Sequence, residues 1–143
     1  MNKPIIFAVL CIGVASCFVP ETEFGIKLLK LGKEAHEKCI EETGVTQAAI
    51  ERAKQGKFDD DDIQIKDYNN CLWTFSKAIN KNFEINVELI KELLPAKIRD
   101  VQLKAIMDCH EEIKEGPILS LLEKTYLLSA CVFNKNPENW IYF

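Results

Sequence analysis

The residues of this chain with chemistry in reach are six cysteines and two histidines. His110 directly follows Cys109, and His36 lies three residues before Cys39. Cysteine and histidine together can ligate zinc, but structural zinc sites draw on closely spaced ligand pairs, and the sequence has no C-x-x-C. Both histidines therefore read as surface residues of helices. Ser76, Ser120 and Ser129 have only these two histidines as potential bases, and no G-x-S-x-G, H-E-x-x-H or glycine-rich phosphate loop surrounds any of them. The paired carboxylates Glu41-Glu42 and Glu111-Glu112 fall on polar helix faces. The acidic run Asp59 to Asp62 lacks the glycine and terminal glutamate of a calcium-binding loop. It reads as a solvated loop whose charge favours the start of the next helix. No enzyme, cofactor or metal site is expected from these residues.

The cysteines separate by position. Met1-Asn2-Lys3 is a short basic start, and a near-continuous apolar run from Pro4 to Ala15 follows. Small residues come next at Ala15, Ser16 and Cys17, and the chain turns polar at Glu21. This is the order of a secretory signal peptide, cleaved after Ser16 or Cys17. The apolar run falls short of the roughly 20 residues that span a bilayer. Val14-Ala15-Ser16-Cys17 also fits a bacterial lipoprotein cleavage site. The expected division is a signal peptide over 1–17 and one helical domain over 18–143. Cys11 and Cys17 belong to the leader, which leaves Cys39, Cys71, Cys109 and Cys131. An even number in a secreted chain implies two disulfides, and four cysteines admit three pairings.

After cleavage the chain carries 17 bases against 22 acids, a formal charge of −5. Such a balance argues against nucleic-acid binding, which needs a basic footprint. No stable membrane insertion is expected either.

The elements that hold these residues read as helices throughout. Phe24 to Glu42 has apolar residues on one face at Phe24, Leu28, Leu31, Ala35 and Cys39, with Gly44 as its stop. Thr46 caps a short helix to Gln55, with Val45 stapled onto Ile50. The next runs from Ile65 to Asn80 along a stripe of Tyr68, Cys71, Leu72, Phe75 and Ile79. Asn86 caps a fourth helix that Pro95 ends, and a fifth covers Ile98 to Glu115 before Gly116-Pro117. Ser120 and Glu123 form a capping box for the last helix, which is apolar on every side from Leu121 to Phe133 and so is expected to be buried. Trp140-Ile141-Tyr142-Phe143 would be costly to leave in water, at roughly 1.5–3 kcal/mol for each large side chain. That segment is expected to fold back, either as plain core or over a pocket mouth.

Set on their helices, the four cysteines resemble those of the insect odorant-binding protein family, which includes the pheromone- and general odorant-binding proteins. Cys39 stands near the end of the first helix, ahead of the Glu42-Thr43-Gly44-Val45 turn. Cys71 stands in the third helix, Cys109 in the fifth and Cys131 in the sixth, ahead of Asn136-Pro137-Glu138-Asn139-Trp140. The family's second and fifth cysteines would fall at Asp67 and Leu122, and both are absent. This resembles the four-cysteine "minus-C" subgroup.

The resemblance implies the pairs Cys39–Cys71 and Cys109–Cys131, and it argues against the lipoprotein reading. It implies an all-α fold of six helices around an apolar cavity. It further implies a secreted carrier of small hydrophobic molecules such as odorants or pheromones, with a chemosensory receptor as a further partner. The apolar stripes nominate Leu72, Phe75, Leu89, Leu93, Ile106, Leu122, Tyr126, Phe133 and Trp140 as ligand-binding residues, because pockets are lined mainly by hydrophobic and aromatic side chains. Tyr126 would offer its hydroxyl to a polar ligand group. The competing reading is a secreted helical interaction or lipid-binding module, saposin-like or venom-type, without a small-molecule pocket.

Overall fold

The computed structural model describes residues 19–58 and 61–143. The expected leader over 1–17 and the Asp59-Asp60 part of the acidic run lie outside the described residues. The architecture is all-α. Among the described residues six helices follow in order: α1 (Ile26–Thr43), α2 (Gln47–Lys54), α3 (Ile63–Phe75), α4 (Val87–Leu93), α5 (Arg99–Glu115) and α6 (Leu121–Lys135). Short 3-10 turns at Glu21–Glu23 and Pro137–Asn139 flank them.

The local signals act as their chemistry dictates. Thr46, Asp62, Asn86 and Ser120 each accept a backbone N–H in the first turn of their helix, satisfying donors that would otherwise lack partners. Gly44 ends α1 in the left-handed region at φ 65°, where its N–H donates to the Ile40 carbonyl. Val45 and Ile50 are both buried at the start of α2.

Two expectations on the elements are corrected. The third helix stops at Phe75 rather than Asn80. Lys77 takes φ 61° there, and the chain turns through an isolated bridge between Ile79 and Ile85 before α4. The apolar pattern continues to Ile79 because Ala78, Ile79 and Phe83 are buried in this loop, not because the helix continues. In the sixth helix Tyr126, Leu128 and Val132 are buried, whereas Leu127 is 40% exposed. The helix is central but keeps one wet edge.

Two buried clusters hold the fold. One joins Cys39, Val45, Ala49, Ile50, Ala53, Ile65 and Tyr68 of α1, α2 and α3. The other gathers Ile90, Leu94, Ile98, Ile106, Leu128, Val132 and Trp140 with the loop residues Ile79 and Phe83. Phe58 and Tyr142 pack against both. Disulfides reinforce each: Cys39–Cys71 ties α1 to α3 across 32 residues, and Cys109–Cys131 ties α5 to α6 across 22. In the chain-entropy description each such link contributes roughly 3–4 kcal/mol, against a net domain stability of about 5–15 kcal/mol. A fold so linked tolerates an unfilled interior.

Candidate ligand-binding site

An interior cavity of about 160 Å³ lies between five of the helices and the end of the chain. Helical spacing selects its walls. From α1 come Leu28, Leu31, Gly32 and Ala35, from α3 Asn69, Leu72, Trp73 and Ser76 at the end of the helix. Both sets follow the i, i+3, i+4, i+7 pattern of one helix face. Ile90, Leu93 and Leu94 close one side from α4 and its end, Gln102 and Ile106 another from α5, and Ser129 and Val132 a third from α6. Trp140, Ile141, Tyr142 and Phe143 complete the wall.

Of the nominated residues, the structure brings Leu72, Leu93, Ile106 and Trp140 to this cavity. The other five lie elsewhere, each for an identifiable reason. Phe75 is 39% exposed at the end of α3, beside a surface depression formed with Glu42, Asp67 and Thr74. Leu89 sits one residue, about 100°, off the Ile90–Leu93–Leu94 face of α4. Leu122 is half-buried in the first turn of α6. Tyr126 is buried edge-on against Phe58, with the Lys66 ammonium 5.1 Å from its ring centre, and does not line the cavity. Phe133 is drawn to α2 because Gly56 has no side chain. A Cβ at Gly56 would lie 2.1 Å from the Phe133 ring, and that glycine also needs its positive φ of 75°.

The final segment is tied down by specific contacts. Trp140 Nε1 donates to the Ala53 carbonyl at 3.1 Å, and the Trp140 and Tyr142 rings stack at 5.4 Å. Phe143 fills the notch over Gly32, where an added Cβ would lie 2.3 Å from the ring. The Tyr68 hydroxyl donates to the Phe143 main-chain oxygen. With that proton committed, the Tyr68 oxygen accepts from His36 Nδ1 at 2.7 Å. Burial raises the Tyr68 hydroxyl above the ordinary tyrosine range. Burial, together with the neighbouring Tyr68 and Tyr126 phenols, does the same for Tyr142.

The histidines are not the surface residues their helices suggested. His36 is half-buried against Tyr68, and His110 is 6% exposed. Its Nε2 bonds to the Phe83 carbonyl at 2.7 Å, which the left-handed conformation of Phe83 turns toward α5. Among the described residues no group of His, Cys, Asp and Glu is arranged to hold a metal ion, and no helix is long and apolar enough to cross a membrane.

The polar atoms on the cavity wall are mostly matched within the protein. Asn69 Nδ2 donates to the Thr125 carbonyl at 3.0 Å, Ser129 Oγ to Asn69 Oδ1 at 2.7 Å, and Trp73 Nε1 to Ser129 Oγ at 2.8 Å. This chain of bonds ties α3 to α6 and presents a largely apolar surface.

Among the described residues, six helices, two disulfides and a largely apolar cavity define a small all-α, disulfide-linked domain. The chain belongs to the PBP/GOBP family, whose model matches residues 22–135. The fold is similar to that of the Locusta migratoria odorant binding protein lmigOBP1, with a TM-score of 0.64, 22% identity and coverage of 78% of this chain and 83% of that one. It is also similar to odorant binding protein 5 of Apis mellifera, with a TM-score of 0.65, 20% identity and coverage of 82% and 95%.

Proposed function

We propose that this protein is a secreted carrier that holds a small hydrophobic molecule in the cavity between α1, α3, α4, α5, α6 and the final segment. The observation that carries the reading is the apolar space of about 160 Å³ with Trp140 and Phe143 in its wall. Its size is comparable to apolar cavities of about 150 Å³ that stay dry and take up benzene-sized ligands. Membership of the PBP/GOBP family supports the same reading. The ligand-binding residues of this proposal include Leu72, Leu93, Ile106 and Trp140 from the sequence reading, together with Leu28, Leu31, Ile90 and Tyr142.

We further infer membership of the four-cysteine subgroup. The four cysteines among the described residues are all paired, which supports the reading, and the resemblance implies that the missing bridge would have joined positions 67 and 122. A signal peptide over residues 1–17 and a mature domain over 18–143 complete the proposal, with a chemosensory receptor as the downstream partner.

The test is saturable binding of an apolar fluorescent probe by the oxidised protein, displaced by small hydrophobic compounds. Failure to bind the probe, or binding to lipid vesicles alone, would instead favour a helical lipid-interaction module.

A further inference from the structure

Two polar atoms of cavity-lining residues are buried without a hydrogen-bond partner: the carboxamide oxygen of Gln102 and the hydroxyl of Tyr142. Gln102 is only 3% exposed, on a helix whose neighbouring wall residue is Ile106. Its unmatched oxygen contrasts with the Asn69 carboxamide, the Ser129 hydroxyl and the Trp73 indole on the same wall, which are bonded inside the protein. A buried acceptor without a donor is costly, and an apolar wall does nothing to relieve it.

We propose that the ligand of this cavity carries a hydroxyl group, as a small aliphatic alcohol does, and donates it to the Gln102 carboxamide oxygen. The inference rests on the carrier reading and narrows it to one ligand class. An alcohol has the donor that Gln102 lacks, and its oxygen can accept from a second donor such as the Tyr142 hydroxyl. An ether or an aldehyde offers acceptors only, so it can meet Tyr142 but not the Gln102 oxygen. A hydrocarbon meets neither. The body of the ligand lies against Leu28, Ile90 and Ile106.

Calorimetric titration of the oxidised protein with 1-hexanol, methyl pentyl ether and heptane separates these cases, because the three have equal heavy-atom counts. The alcohol is expected to bind about tenfold more tightly than the ether, the scale of one buried hydrogen bond. Gln102→Met is expected to remove that preference, so that the alcohol and the ether bind with equal affinity. It should fold, since it replaces a carboxamide whose oxygen is unmatched by an apolar group of similar shape. Equal affinities for alcohol and ether in the unaltered protein, or a preference that survives in Gln102→Met, would overturn the hydroxyl assignment alone. If none of the three binds while the fluorescent probe does, the assignment falls and the carrier reading stands. If the probe also fails, both fall.

Discussion

The Lys66 ammonium meets the Glu123 carboxylate at 3.1 Å across the junction of α3 and α6. Each is the chain neighbour of a position, Asp67 and Leu122, at which the family resemblance expects a cysteine. One helical turn further along, Thr125 Oγ1 donates to Asn70 Oδ1 at 3.1 Å, and Asn69 donates to the Thr125 carbonyl. Polar stitching thus occupies the seam that a third disulfide would close. Lys66 is only 12% exposed, so its ion pair is less screened than the surface pairs along α1.

Adding a covalent bond beside this stitching is expected to stabilise the domain. Asp67→Cys with Leu122→Cys, oxidised and confirmed by mass, should add about 2–4 kcal/mol and raise Tm by about 5–12 °C. Comparison of the oxidised and reduced double variant isolates the bridge from the two substitutions. An unchanged Tm with the bond in place would mean that the α3–α6 seam must distort to accept it.

The hydrogen-bond chain through Ser129 makes a second prediction. Ser129→Ala removes the acceptor of Trp73 Nε1 and the donor to Asn69 Oδ1, both within the interior. Leaving two such groups unmatched should cost on the order of 3 kcal/mol, lowering Tm by about 10 °C. Trp73 emission should change as its indole loses the Ser129 partner. A variant as stable as the parent would show that the network contributes nothing net.

How much of this was legible in the sequence is best seen on α3. Of the stripe Tyr68, Cys71, Leu72 and Phe75, the first three mark the side that carries the disulfide and packs with residues of α1 and α2, while Phe75 is exposed. The cavity side is Asn69, Leu72, Trp73 and Ser76. Two of those four are polar, so hydropathy pointed away from them; Thr125 and Ser129 on α6 match Asn69, and the Trp73 carbonyl matches Ser76, which suits both to an interior wall. The caps at Thr46, Asn86 and Ser120 were readable because they depend on a few adjacent residues. The buried state of His110 was not, because it depends on the left-handed turn at Phe83, 27 residues away. The final aromatic segment was recognisable as material to be buried. Its place in the cavity wall follows from Gly32, whose role as a notch has no signature in a helical pattern.

Gly32 therefore makes a sharp test of the final segment. Gly32→Ala would place a Cβ within the Phe143 ring, so Phe143 must leave the notch. Overpacking of this kind costs about 1–3 kcal/mol. The expected outcome is faster proteolytic cleavage after Trp140 and faster exchange of a bound probe, with helix content unchanged. Cleavage and exchange at the parent rates would show that the ring finds another seat without opening the wall.

The buried phenols set the alkaline limit of the fold. Tyr68 and Tyr142 are both held above the usual tyrosine value by burial, so the unfolded chain ionises first. Below about pH 10 both states keep the proton, and the stability is complete. As pH rises past that value the unfolded state loses protons that the folded state retains. Stability then falls by up to about 1.4 kcal/mol per pH unit for each tyrosine. The loss continues until the folded hydroxyls themselves ionise. Tyr142→Phe removes one of the two contributions without removing a hydrogen bond, because that hydroxyl has no partner within the protein. Its Tm should match or exceed that of the parent at pH 8 and decline less steeply between pH 9.5 and 11. Parallel declines for the two proteins would show that Tyr142 ionises as readily folded as unfolded, and that its site is wetter than the packing around Trp140 implies.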